Sequence, residues 1–387
     1  MIVNEVAPVL NCTGVVLHTG LGRAPLHPEV AAAMRAAAGA ATVEIEPDSG
    51  RRGQRQDVVG RRLERLLGQP GCAFNNNAAA TLICLAACCA PKNAVVGVSR
   101  LVAIGGSFEM PAVMARSGCG LVEVGSVNRT TVEDYVRAVD TSTGAIFAAH
   151  RSNFRLEGNY REPNLAELAA VAHEHRLPLI YDQGSGLLES TPWSGTASTV
   201  RGALADGADL VCFSGDKLFG GPQAGLIVGR RELVERCIHH PLARAARLDK
   251  TMLAGLAALL ELYLAGRQDE LPTLRLLGTP AEELHRRAEL LSRKLRESSL
   301  PGVTIEVTNT VGRAGSGALP LVDFPGAGLL IEQAQPNARE LARRCRRAGV
   351  YGRVVDDRLL LDLRSLPPEN DETLCQIARG IMTGGDL

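Results

Sequence analysis

The chain has 387 residues, 45% of them hydrophobic, with 42 basic and 42 acidic side chains and a formal net charge of zero. That length exceeds one hydrophobic core and suits a large domain with a smaller one. The charge balance excludes a domain built mainly to neutralise a phosphate backbone. The most apolar run, "AAATLICLAACCA", is too short for the ~20 residues of a membrane span.

In chain order, short apolar runs predict strands over 72–74, 94–98, 120–124, 145–148, 177–182, 209–213 and 224–228. Helical patterns over 78–90, 109–117, 131–139 and 165–175 separate them. Repeated strand–helix–strand units imply a mostly parallel sheet covered on both faces. A long helix follows over 248–266, then "QDELPTLRLLGTP" reads as a connection. Beyond it come a helix over 281–297, a strand over 303–307, a helix over 338–348 and the strand-like "GRVVDDRLLLDLR". The expected division is an N-terminal arm and large α/β domain over 1–266 and a small C-terminal α/β domain over 267–387. The N-terminus "MIVNEVAPVL" has no basic leader. The ten cysteines fall mostly in apolar runs, without CxxC or Cys/His zinc spacing. We therefore expect core thiols, no metal and a reducing cytoplasm.

The stretch "DLVCFSGDKLFGGPQAG" sets Lys217 just past a buried-looking strand and before a glycine-rich loop. Thirty-five residues upstream, "LPLIYDQGSG" ends a strand in Asp182. Both leave the carboxyl edge of parallel strands, where open α/β sheets place their ligands. "NNNAAA" sits where a strand becomes a helix, and the N–H groups of Asn77, Ala78 and Ala79 offer a phosphate cradle. Ser214, three residues before Lys217, adds a hydroxyl. Cradle, aspartate and lysine in this order are the parts of a pyridoxal 5'-phosphate site. In such a site Lys217 forms the Schiff base and Asp182 keeps the pyridine nitrogen protonated. His150, at another strand end, is placed to contact the ring. A dinucleotide fold fares badly, because no GxGxxG opens a helix after a strand.

The blocks "NCTGVVLHTGLGRAPL", "NNNAAATL", "HRSNFRLEG", "YDQGSG", "FSGDKLFGGPQAG", "HPLARAARLDK" and "GRVVDDRLLLDLR" resemble those of bacterial selenocysteine synthase. They run in that family's order from Asn11 to about Arg364. The resemblance implies a fold-type-I pyridoxal-phosphate transferase, completed as a homodimer or higher homo-oligomer. It implies an amino-acid-type substrate that loses a group from Cβ and takes up a nucleophile from an oxyanion donor such as selenophosphate. It matches Lys217 and Asp182 to the roles above and Asp216 to a retained acidic residue. Arg23, Arg244 and Arg247 match arginines that gather the donor's anion, and Arg364 of the last block joins them. Arg55, in "DSGRRGQR", is implied to help the cofactor phosphate across a subunit interface.

The chain departs from the family at "SRLVAIGGSFE", which is two residues shorter, and at Gly20, where the family has asparagine. Only ten residues precede Asn11, where the family carries a helical tRNA-binding domain. Weak tRNA binding is therefore expected. A lyase acting on a small free or phosphorylated amino acid or amino sugar, and a catalytically silent binding subunit, stand as alternatives.

Overall fold

The structure, a computed structural model, describes residues 6–104, 108–151, 154, 156–297, 302–333 and 335–383. The chain divides into two units, Ala24–Leu271 and a second formed by Met1–Arg23 with Pro272–Leu387.

The large unit is built on seven strands: β1 (Gly71–Phe74), β2 (Asn93–Gly97), β3 (Gly120–Val124), β4 (Thr143–Ala149), β5 (Leu179–Gly184), β6 (Leu210–Ser214) and β7 (Gly225–Gly229). Their order across the sheet is β1-β7-β6-β5-β4-β2-β3. The pairs from β6 through β5, β4 and β2 to β3 are parallel, and β7 runs antiparallel to both neighbours. Central strands covered on both faces bury every side chain, which is why they read as unbroken apolar runs. Ile146, Phe147, Ile180, Val211, Cys212 and Phe213 are all sealed from solvent. Against one face lies α1 (Asn77–Cys88), apolar nearly all round and packed by Ala80, Ile83, Cys84 and Ala87 onto that core. A helix with no polar face is stable only in such a position.

All seven predicted strands are present, with ends shifted by at most two residues. Because β7 is antiparallel to β6, the two are joined without a helix. Residues 215–224 therefore form a tight loop at the carboxyl end of β6, and Lys217 is on it.

The small unit carries a four-stranded antiparallel sheet of β8 (Val303–Gly312), β9 (Phe324–Gln333), β10 (Arg353–Val355) and β11 (Arg358–Asp362), in the order β8-β9-β11-β10. Helices Ala281–Arg296, Ala338–Arg347 and Asp371–Met382 supply Leu284, Leu291, Leu341 and Leu374 to its core.

Two sequence expectations change here. The arm 1–23, expected with the large domain, groups with the small unit. Leu10–Asn11 pairs in parallel with Val350–Tyr351, Asp362 N–H donates to the Cys12 carbonyl at 2.9 Å, and Cys12 is buried in the small unit's core. The supposed connection near 272 contains a helix, Pro272–Gly278, that buries Leu276 and Leu277. Proline opens that helix instead of breaking it, since its missing N–H is not needed in the first turn.

Candidate active site

The order β6-β5-β4 brings three strand ends together: Ser214 with the Lys217 loop, Asp182, and His150. The Lys217 loop is closed on itself. Gly215 N–H donates to the Ala224 carbonyl at 2.8 Å, Gly221 N–H to Gly215 at 2.8 Å and Gly220 N–H to Lys217 at 3.0 Å. Gly220 takes φ +73°, a conformation that favours glycine. Lys217, Asp216 and Ser214 are all buried. The Asp216 carbonyl also accepts the Ala24 N–H at 3.2 Å.

A neighbouring turn holds this loop from below. Leu218 N–H donates to the Ser185 carbonyl at 2.8 Å. Ser185 is itself fixed by Gln183, whose amide donates to Ser185 Oγ and to the Ser198 carbonyl, each at 2.8 Å. Gln183 Oε1 accepts the Gly186 N–H at 2.6 Å. Gln183 is fully buried, and the sequence reading missed it. The turn needs Gly184 and Gly186 at φ +75° and +77°, and a Cβ on Gly186 would lie 2.9 Å from Phe219 Cβ.

Asp182 is buried, and desolvation raises its pKa above the ordinary carboxylate value. A hydrogen bond from Asn77, the charge of Lys217 and a hydrogen bond from Thr81 work the other way. Asn77 Nδ2 donates to Asp182 Oδ1 at 2.8 Å and Thr81 Oγ1 to Oδ2 at 3.1 Å. The register between β5 and β6 shifts between Asp182 and Gly184. Such an irregularity re-aims a side chain at a sheet rim. His150 N–H donates to the Asp182 carbonyl at 2.8 Å. Burial, reinforced by Arg100, Arg151 and Lys217, lowers the His150 pKa to about 4, so the ring is neutral at pH 7.

The cradle is the first turn of α1. Asn76 caps it, its Oδ1 accepting the Ala79 N–H at 2.9 Å, and Ala80 N–H bonds the Asn76 carbonyl at 3.0 Å. The N–H groups of Asn77 and Ala78 have no acceptor inside the helix. This amends the sequence reading: the Ala79 N–H is spent on the cap, and the Asn77 side chain serves Asp182. Opposite, Gly225 on β7 passes so close that a Cβ there would meet the Asn76 carbonyl and lie 2.7 Å from Asn77 N. Asn77 Oδ1 and His150 Nδ1 are buried polar atoms without a hydrogen-bond partner. Two orphaned polar atoms, one of them the acceptor Asn77 Oδ1, near a buried carboxylate, a lysine and two helix-end donors fit pyridoxal phosphate, which carries a ring N–H donor as well as phosphate acceptors.

The arginines are placed differently from one another. Arg247 bridges Phe74 at the end of β1, and Asn75 N–H donates to the Ala246 carbonyl at 2.9 Å, so this segment borders the cradle. Arg244, on the short helix Pro241–Ala245, and Arg247 are both exposed. Arg55 donates to Glu44 at 3.0 Å and to the Leu248 carbonyl at 2.9 Å. Arg23, with φ +67°, belongs to the other unit, as does Arg364. Arg364 was expected to bind an anion, but it is 2% exposed. Its guanidinium donates to the carbonyls of Leu276, Thr279 and Pro325. Those bonds hold the small unit together.

A large unit with this strand order and this site has the fold-type-I architecture of pyridoxal-phosphate enzymes. Its backbone resembles D-glucosaminate-6-phosphate ammonia-lyase, with a TM-score of 0.65 at 22% identity, covering 97% of this chain and 96% of that one. The family model of L-seryl-tRNA selenium transferase matches residues 9–367. An L-seryl-tRNA(Sec) selenium transferase of Rhizobium meliloti is 45% identical over 95% of this chain and 81% of its own length. One from Moorella thermoacetica is 41% identical over 99% and 84%. The chain belongs to the L-seryl-tRNA selenium transferase family and is a pyridoxal-phosphate-dependent enzyme.

Proposed function

We propose that the enzyme replaces the Cβ hydroxyl of a serine carried on tRNA by selenium from an anionic donor such as selenophosphate. The observation that carries this reading is the family match over 9–367, with Lys217 and Asp182 at adjacent strand ends inside it. When bound, pyridoxal phosphate supplies an electron sink for charge left at the substrate Cα. Lys217 is the group that would hold it covalently; once the substrate amine has released it, Lys217 Nζ would accept the Cα proton and pass a proton to the departing Cβ hydroxyl, which leaves as water. Asp182 holds positive charge at the ring nitrogen. The Asn77 and Ala78 N–H groups, with the Ser214 hydroxyl, hold the phosphate. Neutral His150 would contact the ring without adding charge, and Asp216 takes the retained acidic role beside the lysine. Arg244 and Arg247 bind the donor's oxyanion as charge-assisted hydrogen-bond donors, and Arg23 is a separate candidate for the same role. Arg55 contributes to the cofactor phosphate in a homodimer, and the cytoplasm is the compartment that suits ten buried thiols.

The test supplies seryl-tRNA(Sec) and radiolabelled selenophosphate and follows label into the aminoacyl-tRNA. Label transfer that vanishes in Lys217→Ala supports the reading. No transfer, with release of ammonia from a small amino acid or amino sugar, replaces it with a lyase.

A further inference from the structure

Asn77 and Thr81 are four residues apart on α1, so the helix places them on one face. Each reaches a different oxygen of the same carboxylate: Asn77 Nδ2 at 2.8 Å from Asp182 Oδ1, Thr81 Oγ1 at 3.1 Å from Oδ2. Both are neutral donors. A charged donor at that point would neutralise the carboxylate and compete with a ring nitrogen for it, whereas two neutral donors orient it and leave its charge available. The Thr81 hydroxyl is fully buried and lies 3.3 Å from Cys212 Sγ, so it has no water with which to exchange its bond. The helix is fixed in turn by the Asn76 cap at one end and by its apolar packing along its length. The same first turn presents the Asn77 and Ala78 N–H groups. One rigid element thus sets both the donors for a phosphate and the plane of the carboxylate.

We propose that Asn77 and Thr81 are positioning residues that clamp the Asp182 carboxylate, one oxygen each, in the orientation and charge state that keeps the cofactor's ring nitrogen protonated. This rests on Asp182 being the partner of that nitrogen. The clamp favours the ionised carboxylate, which favours the protonated ring nitrogen. Losing either half moves the midpoint for losing the ring proton to lower pH. A hydrogen bond to a charged group corresponds to about a ten- to hundredfold change in such an equilibrium, hence a midpoint about one to two pH units lower.

The experiment loads the enzyme with pyridoxal phosphate labelled with ¹⁵N in the ring and follows the nitrogen shift against pH. It compares wild type, Thr81→Val, Thr81→Ser, Asn77→Ala and Asp182→Asn. Thr81→Val is nearly isosteric and Thr81→Ser restores the hydroxyl, so a packing defect moves the thermal midpoint of Thr81→Val without moving the nitrogen midpoint. The expected result is loss of the ring proton throughout for Asp182→Asn, an intermediate midpoint for Thr81→Val and for Asn77→Ala, and recovery in Thr81→Ser. Clamp variants that superpose on wild type while Asp182→Asn differs overturn the clamp and leave the role of Asp182 standing. An Asp182→Asn protein identical to wild type overturns both.

Discussion

Replacing Asp182 with asparagine should make the cofactor-free protein more stable at neutral pH while removing its ability to hold a protonated ring. Burial is the largest influence on this carboxyl and raises its pKa, and Asn77, Lys217 and Thr81 only partly offset it. Folding therefore disfavours the charged form. An amide of the same shape keeps both contacts. Its oxygen accepts from Asn77 as Oδ1 does at 2.8 Å. Its nitrogen donates to Thr81 Oγ1, whose own proton turns to Cys212 Sγ, 3.3 Å away. The substitution loses the charge assistance of three hydrogen bonds, from Asn77, Thr81 and the Gly184 N–H, and the attraction of Lys217, about 1–3 kcal/mol. It recovers the desolvation of a buried ion, which amounts to several kcal/mol. The balance is about 1–3 kcal/mol in favour of Asp182→Asn, a rise of roughly 2–8 °C in thermal midpoint for a unit of this size.

The pH dependence carries the sign. A carboxyl whose folded pKa lies above its ordinary 3.8 has no effect below 3.8, where it is protonated in both states. Stability is lost as pH rises from there toward the folded value. Thermal unfolding of the stripped protein between pH 3.5 and 8 should show the Asp182→Asn advantage at pH 7 shrinking toward zero near pH 4. A variant less stable than wild type at pH 7, or an advantage that ignores pH, refutes the reasoning. Adding pyridoxal phosphate should reverse the ranking, because the wild type binds it more tightly.

His150 acts in the opposite direction: its pKa is lowered from 6.5 to about 4, so wild-type stability should fall as pH drops through that window. By linkage the loss is at most about 3 kcal/mol, and His150→Gln should flatten it in the same unfolding series. Borohydride reduction of the yellow enzyme should fix pyridoxyl mass on the Lys217 peptide, and label on another lysine would displace that assignment. The double variant Arg244→Ala/Arg247→Ala should weaken phosphate or thiosulfate competition about ten- to hundredfold per arginine and leave cofactor affinity nearly unchanged. Equal inhibition in the variant would reduce the two to a solvated face. The basic segment 50–65 should hold tRNA only weakly and lose it in moderate salt, with Kd near 10⁻⁴–10⁻⁶ M. Five of its six arginines are already paired: Arg52 and Arg55 with Glu44, Arg61 with Asp57, Arg62 and Arg65 with Glu261. Submicromolar, salt-resistant tRNA binding that is lost when Arg51, Arg52 and Arg55 are replaced would contradict this.

The strands and their carboxyl ends were legible because central strands of a parallel sheet must be apolar on both faces, and a polar residue closing such a run announces itself. Asp182 and Lys217 were found that way. What the sequence hid was who holds them. Thr81 sits in "AAATLICLAA", where one hydroxyl among small apolar residues reads as filler, and Asn77 reads as one of three asparagines turning into a helix. Their spacing of four was visible, but it acquires meaning only when β5 lies against that face of α1 and both side chains meet one carboxylate. The arm 1–23 was hidden for a different reason. Its pairing of Leu10–Asn11 with Val350–Tyr351 spans some 340 residues, and two-residue strands leave no periodicity to detect. Arg364 shows the reverse error. An arginine in a family block suggested an anion, yet its terminal nitrogens donate to helix-end and strand carbonyls. Residue type and strand position thus located the two strand-end candidates, and the contacts that hold them were visible only after the chain had folded back on itself.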